Sequence, residues 1–145
     1  MRQSFNELPF LIAEDSEDDL LLLQRALRKA GVPNPHVTTT TGREAINYLE
    51  QATTFDSEIP FPVILFLDLL MPRVDGIGVL EWLRDHPHPP IAVVLHTGVE
   101  DEDMLQHARD LGANFYLPKG ARPGAIREVF RRARAEWEQH QLLEH

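Results

Sequence analysis

The sequence contains no cysteine and no long apolar segment, and its basic residues are outnumbered by acidic ones. The absence of cysteine excludes disulfides, thiolate metal sites and a cysteine nucleophile. No apolar run is long enough to cross a bilayer, and the polar start of the chain, Met1 to Glu7, is unlike a signal peptide. A total of 14 lysines and arginines against 23 acidic residues gives a net charge of -9, which disfavours nucleic-acid binding by the domain as a whole. We therefore expect a cytoplasmic protein that binds neither a membrane nor nucleic acid directly.

The length and composition indicate one folded domain. With 145 residues, of which 43% are hydrophobic, the chain can bury a sizeable core. No segment repeats another, and none is of low complexity. We expect a single domain over residues 1–145, with a core over about 8–139, a frayed tail over 140–145 and no attached output domain.

Short apolar runs recur along the chain and predict five strands. The run from Val63 to Leu67 has five large apolar residues in succession, which is typical of a strand buried on both faces of a parallel sheet. Similar runs lie at 8–13 and 91–95, and a shorter one lies at 114–117. The segment 36–40 is β-branched but more polar, so we place it at an edge of the sheet.

Helical patterns alternate with these strands. The segment 20–30 has amphipathic spacing, and the acids Glu17, Asp18 and Asp19 next to Ser16 fit a helix cap and the positive end of the helix dipole. Further helices are predicted from Thr41, from Asp75-Gly76, over 99–111 and from Pro123, with a loop at 51–61. Five strands alternating with five helices predict an α/β protein with a flavodoxin-like, doubly wound parallel sheet in the order 2-1-3-4-5.

Polar residues follow these strands at the sheet edge where their carboxyl ends meet. Glu14 and Asp15 follow the first strand, Asp68 the third, Thr97 the fourth and Lys119 the fifth. Neighbouring strands are about 4.8 Å apart, so the three carboxylates can surround a single point. Such a cluster either raises the pKa values within it or requires a cation, and oxygen ligands with open positions suit Mg²⁺ better than Ca²⁺. Lys119 would add a positive charge and Thr97 a hydroxyl donor, which together would stabilise a phosphoryl group on Asp68.

The five positions, in this order at the strand ends, resemble the CheY-like receiver domains of two-component response regulators. The resemblance covers nearly the whole chain. It implies that Asp68 is the phosphoacceptor and that Asp15 and Asp68 bind Mg²⁺ directly. It also implies that Glu14 helps through water and that the backbone carbonyl of Leu70 completes the protein ligands.

The same resemblance implies a switch and a class of partner. Thr97 corresponds to the switch hydroxyl, Lys119 to the lysine that contacts the phosphoryl group, and Tyr116 to the switch aromatic. Such a domain accepts its phosphoryl group from a sensor histidine kinase or a phosphotransfer protein and is not a turnover enzyme. The Glu-Asp-Ser-x-x-Asp opening at 14–19, the loop at 51–61 and a lysine without a following proline are similar to the small stand-alone regulators paired with bacterial phytochrome histidine kinases.

Some positions depart from the family pattern. Lys119 is preceded by Pro118 and followed by Gly120, where the family usually has a proline after the lysine. Leu70 and Val99 are apolar, whereas many members have polar residues there that admit or orient the attacking water. We therefore hypothesise slow self-dephosphorylation.

Three other functions use part of this pattern. A haloacid-dehalogenase-type phosphatase also uses a strand-end aspartate with Mg²⁺, but it needs a second acid where this chain has Leu70. A flavodoxin that binds FMN shares the strand order, but the acidic segment 14–18 would repel its phosphate. A pseudo-receiver that binds partners without phosphorylation is the remaining alternative, and the complete set of five residues argues against it.

The segment from Lys119 to Arg134 is basic, although the chain as a whole is acidic. It is either a solvated helix face or a docking surface, for example for a homodimer through the fourth helix, fifth strand and fifth helix. In a homodimer, the acidic segment 100–103 of a second copy would complement it. Its cationic residues are Lys119, Arg122, Arg127, Arg131, Arg132 and Arg134, with only Glu128 opposing them.

Overall fold

The computed structural model describes residues 4–143 and confirms five strands alternating with five helices. A short 3₁₀ helix, Phe5–Glu7, precedes them. The strands are β1 (Phe10–Ala13), β2 (His36–Thr39), β3 (Ile64–Leu67), β4 (Ala92–Thr97) and β5 (Phe115–Pro118). The helices are α1 (Glu17–Lys29), α2 (Gly42–Thr53), α3 (Gly76–Asp85), α4 (Glu102–Asp110) and α5 (Pro123–Leu143).

All four strand pairs are parallel, and the sheet order is β2-β1-β3-β4-β5. This confirms both the predicted flavodoxin-like order and the edge position of the more polar β2. In the register of the sheet, Ala13 pairs with Leu67, and Leu67 pairs with Leu95. The residues that follow these strands therefore emerge side by side at one edge, where open α/β sheets place their ligand sites.

The sheet is covered on both faces, as the unbroken apolar runs predict. Leu65 and Leu67 of β3 face a core shared with α2, α3 and α4. Ile64 and Phe66 face a second core, shared with α1 and α5. Because every side chain of β3 is buried, this strand is the fixed centre from which Asp68 emerges. Within residues 4–143, no helix combines the length and the apolar character needed to cross a bilayer.

The helix boundaries differ from the prediction in two places. We predicted the fourth helix over 99–111, but α4 begins at Glu102, because the Asp101 side chain caps it by accepting bonds from the backbone N–H groups of Asp103 and Met104. Val99 lies in the loop before α4 and is buried. We expected a frayed tail from residue 140, whereas α5 continues through Leu143; Glu144 and His145 lie outside the described residues.

The core also extends further toward the start of the chain than residue 8. Phe5 is only 2% exposed and makes edge-to-face contacts with Phe10, Phe130 and Trp137. The buried Asn34 amide donates to the backbone carbonyls of Phe5, at 2.6 Å, and Leu8, at 2.8 Å. Phe5 of the 3₁₀ helix is therefore part of the domain core.

Candidate functional site

The predicted site residues meet at the carboxyl edge of the sheet. Glu14 directly follows β1, Asp68 directly follows β3, Thr97 is the last residue of β4 and Lys119 directly follows β5. The side chains of Glu14, Asp68 and Thr97 are buried, whereas Asp15 is exposed. The buried groups are held by strands, and Asp15 faces solvent at the mouth of the cluster.

Glu14, Asp15 and Asp68 form a compact cluster of carboxylates. One oxygen from each lies within 4.8 Å of the others. Glu14 Oε2 accepts a bond of 3.1 Å from the Ser16 backbone N–H, but the buried Oε1 accepts no well-formed hydrogen bond, although Lys119 Nζ lies 3.2 Å from it. Three hard oxygen donors with one under-satisfied buried oxygen fit a divalent cation of the Mg²⁺ type.

Both oxygens of the Asp68 carboxylate are engaged. Oδ1 accepts bonds from the Thr97 hydroxyl at 2.8 Å and from the Leu70 backbone N–H at 3.1 Å. Oδ2 accepts a bond from Lys119 Nζ at 2.9 Å. The Val99 backbone N–H donates to the Thr97 oxygen at 3.3 Å, which leaves the hydroxyl proton of Thr97 free to point at Asp68.

Lys119 also contacts Asp19, an acid that the sequence pattern assigns to the start of α1. Its Nζ lies 2.7 Å from Asp19 Oδ2, closer than it lies to Asp68 or Glu14. The Asp19 backbone N–H does donate to Ser16 Oγ, so the predicted cap is present as well. Asp19 also belongs to the Glu-Asp-Ser-x-x-Asp opening at 14–19, but that spacing does not indicate a contact with Lys119.

His96 is a second site residue that the sequence pattern does not indicate. It is 5% exposed, and its Nδ1 lies 3.8 Å from Glu14 Oε1. Burial, together with the Lys119 charge, lowers the pKa of His96 to about 4. Burial likewise raises the pKa of Glu14 to about 7, with the Ser16 N–H opposing that rise and the Asp68 charge adding to it. Burial therefore favours the neutral form of the His96 imidazole and, compared with an exposed glutamate, the protonated form of Glu14.

The remaining predicted residues lie around this cluster. Leu70 is 60% exposed and Val99 is buried, so apolar side chains stand at both positions that the sequence analysis related to water access. Tyr116 on β5 is 37% exposed, and so it does not point into the core. Gly120 has a φ of +82°, in the left-handed region that favours glycine, and residues 4–143 contain no cis peptide bond.

Comparison with known proteins identifies the family of this chain. The family model of the response regulator receiver domain matches residues 10–131. The chain belongs to the response regulator receiver family. Among characterised proteins, this receiver is 31% identical over 110 residues to the response regulator Rcp1 of Synechocystis sp., a match that covers 75% of this chain and 74% of Rcp1.

Solved structures of response regulators give the same relationship. The phosphorylated cyanobacterial phytochrome response regulator RcpA matches with a TM-score of 0.72 and 30% identity, over 90% of this chain and 94% of RcpA. The Mn²⁺-bound form of Rcp1 matches with a TM-score of 0.68 and 28% identity, over 88% of this chain and 90% of that protein. This receiver is thus a CheY-like domain of two-component signalling, related to phytochrome response regulators.

Proposed function

We propose that this receiver accepts a phosphoryl group on Asp68, with Mg²⁺ bound beside it, and thereby switches a protein-binding surface. The observation that carries the proposal is the set of contacts on Asp68. One carboxylate oxygen faces the Thr97 hydroxyl and the other faces the Lys119 ammonium group, next to the carboxylates of Glu14 and Asp15. A nucleophile, a hydroxyl donor, a fixed positive charge and a cation site are the parts that phosphoryl transfer to a carboxylate requires.

The phosphoryl donor would be a phosphohistidine or a small acyl phosphate. An Asp68 oxygen attacks phosphorus, the new O–P bond forms as the bond from phosphorus to the donor breaks, and the donor leaves as imidazole or as a carboxylate. Lys119 and Thr97 hold the transferred oxygens. A Mg²⁺ held by Asp15, Asp68 and the Leu70 carbonyl, with Glu14 acting through water, would neutralise charge on the phosphoryl group.

The expected donor is a sensor histidine kinase, either directly or through a phosphotransfer protein. The relationship to RcpA, a phytochrome response regulator, supports a phytochrome-type kinase. In this role the domain is a phosphoacceptor that assists its own phosphorylation and dephosphorylation, not a turnover enzyme. Its cytoplasmic location stays a prediction.

Thr97 and Tyr116 would report phosphorylation to the surface formed by α4, β5 and α5. The Thr97 hydroxyl donates to Oδ1 of the Asp68 carboxylate, so a phosphoryl group on Asp68 would place new acceptor oxygens within reach of this hydroxyl. Tyr116 has an exposed side chain on the adjacent strand and is free to move inward. The phosphoryl group then acts as a ligand that shifts a two-state equilibrium.

A homodimer through α4, β5 and α5 is the second part of the proposal. Two arginines of α5 already pair within the helix, Arg131 with Glu128 at 2.7 Å and Arg134 with Glu138 at 3.0 Å, while Arg132 lies over the Phe115 ring. These contacts leave Arg122 and Arg127 as the exposed cations available to the acidic segment 100–103 of a second copy. Sedimentation equilibrium with acetyl phosphate and Mg²⁺ should show a dimer that Arg127→Glu weakens; a monomer under those conditions would count against it.

Intact-mass measurement after incubation with Mg²⁺ and acetyl phosphate tests the phosphorylation. We expect one phosphoryl adduct that needs Mg²⁺ and disappears in Asp68→Asn. Asp18→Asn serves as the matched control, because it removes the same charge from an exposed position and should keep the adduct. An adduct that survives Asp68→Asn would mean another nucleophile. No adduct in the wild type would favour the pseudo-receiver alternative.

A further inference from the structure

We propose that Asp19 is a positioning residue for Lys119. When a divalent cation occupies the neighbouring carboxylates, the Lys119 ammonium group turns to the Asp19 carboxylate. This inference rests on the proposed function, since it concerns the same cation site. It starts from the three acids around Lys119 Nζ: Asp19 at 2.7 Å, Asp68 at 2.9 Å and Glu14 at 3.2 Å. Asp68 and Glu14 belong to the compact carboxylate cluster, and Asp19 is the one that does not.

An ammonium group and a divalent cation that share the same oxygens repel each other. Two like charges a few ångströms apart repel more strongly in a partly buried site than in water, because the protein screens them less. Lys119 therefore opposes cation binding as long as Asp68 and Glu14 are its acceptors. Asp19 offers Lys119 a carboxylate that the cation does not need, and it is already the closest of the three.

The Asp19 carboxylate is held firmly enough for this role. Its backbone is fixed in the first turn of α1 by the Ser16 cap, and α1 is anchored in the core by Leu23 and Leu27. The hydrogen bond from Lys119 lowers the pKa of Asp19, so the acid stays charged. For Lys119 itself, burial lowers the pKa, but the bonds to Asp19 and Asp68 outweigh burial and raise it.

The loop that carries Lys119 makes a side-chain anchor useful. The next residue is Gly120, with a φ of +82° and no atom within 4 Å of where a Cβ would stand. A glycine in open space restrains the loop less than another residue would. Asp19 therefore supplies from α1 a restraint on the lysine that the backbone after it does not.

The alternative is that Asp19 only stabilises the start of α1 through the helix dipole. Asp18 separates the two explanations, because it lies in the same first turn, is exposed and has no ion pair among residues 4–143. Both substitutions to asparagine remove one negative charge from the same helix end. Only Asp19→Asn removes a charged partner of Lys119.

The test is the Mg²⁺ affinity of the full chain, measured by isothermal titration calorimetry at fixed ionic strength. Asp19→Asn should weaken Mg²⁺ binding by about three- to tenfold, Asp18→Asn by less than about twofold, and Asp19→Glu should restore most of the loss. In a Lys119→Met background, the loss caused by Asp19→Asn should shrink, because there is no ammonium group left to hold. Far-UV circular dichroism checks that each variant is folded.

Two results would overturn the inference and leave the proposed function standing. One is equal affinity for the Asp19→Asn and Asp18→Asn variants. The other is a loss that is as large in the Lys119→Met background as in the wild type, which would make Asp19 a direct attractor of the cation. A wild type that binds no Mg²⁺ would overturn the proposed Mg²⁺-dependent function and this inference together.

Discussion

Glu14 and His96 should make the stability of the metal-free protein respond to acid in opposite directions. They are neighbours, with His96 Nδ1 3.8 Å from Glu14 Oε1, and both are almost fully buried. Burial disfavours the charged form of each group, which for an acid means a raised pKa and for a base a lowered one. Protonation of each group therefore changes the free energy of unfolding, and the two changes have opposite signs.

For Glu14 the pKa rises from 4.5 to about 7 on folding, chiefly through burial. The folded protein thus binds this proton more tightly than the unfolded chain does. The resulting stabilisation is fully present below pH 4.5 and is lost as the pH rises through 7. Each tenfold change in proton affinity is worth about 1.4 kcal/mol, so the contribution is about 3 kcal/mol.

For His96 the pKa falls from 6.5 to about 4 on folding, again chiefly through burial. Here the unfolded chain binds the proton more tightly. The stabilisation is present above pH 6.5 and is lost as the pH falls through 4, and it is also about 3 kcal/mol. Because the two contributions are similar in size, they should largely cancel between pH 7 and pH 4.5.

Urea unfolding in EDTA between pH 4.5 and 7.5 separates the two contributions. Relative to the wild type, Glu14→Gln should lose most of about 3 kcal/mol as the pH falls from 7 to 4.5, because His96 then acts alone. His96→Gln should gain a similar amount over the same range. Other groups, such as His36 with its lowered pKa, contribute equally to the pH dependence of all three proteins. The contributions of Glu14 and His96 are therefore obtained from the differences between each variant and the wild type.

An exposed histidine provides the control. His140→Gln should follow the pH profile of the wild type, since His140 is exposed on α5. The reasoning would be refuted if both Glu14→Gln and His96→Gln also kept the pH profile of the wild type. In that case the buried pair would not be the source of any proton linkage.

Three further substitutions test the surroundings of the site and the core. Leu70→Asn should shorten the phosphoryl lifetime by about tenfold, because it places a polar group that can orient water beside Asp68; an unchanged hydrolysis rate would contradict the hypothesis of slow self-dephosphorylation. Gly76→Ala should cost about 1–3 kcal/mol in urea unfolding, because its Cβ would lie 2.6 Å from the Asp68 carbonyl oxygen, while Gly124→Ala, with its nearest atom at 3.9 Å, should be close to neutral. Asn34→Ala should cost about 1–3 kcal/mol by removing the side-chain donor to the Phe5 and Leu8 carbonyls, and a stability equal to that of the wild type would show that the 3₁₀ helix does not depend on it.

The strand-end residues were predictable because a parallel sheet has simple geometry. An apolar run followed by a polar residue marks both the strand and the point where it leaves the core, and parallel strands bring all such points to one edge. Asp68 is the clearest case, since all of β3 is buried and the next residue is charged. The proximity of Glu14, Asp68, Thr97 and Lys119, which the structure shows as direct hydrogen bonds, then follows from the strand order.

Asp19 and His96 were not predictable, because their roles depend on how elements are rotated against each other. Three acids in a row open α1, and only the rotation of that helix against the sheet decides which of them reaches Lys119. His96 was missed because the apolar run ends at Leu95, whereas β4 continues to Thr97. Strand alternation then places His96 on the face that packs against α1 and α5, opposite to its neighbour Thr97.

The start of α4 depends on a local competition that composition does not reveal. The segment 98–101 has no residue that forbids a helix, and Val99 suits the apolar stripe. The Asp101 side chain nevertheless binds two backbone N–H groups and fixes the helix start at Glu102. Val99 therefore lies before the helix, and its backbone N–H donates to the Thr97 side-chain oxygen.

The site contains more negative charge than its lysine can balance. Three carboxylates contact the Lys119 ammonium group, and a fourth, that of Asp15, lies in the same cluster as Glu14 and Asp68, so that even a protonated Glu14 leaves three acids against one base. A phosphoryl group on Asp68 would replace one negative charge by about two, and so would deepen this imbalance. Burial of Asp68 prevents water from screening it. In the proposed mechanism the divalent cation is therefore required by charge balance, and it has to enter between the carboxylates that now hold Lys119.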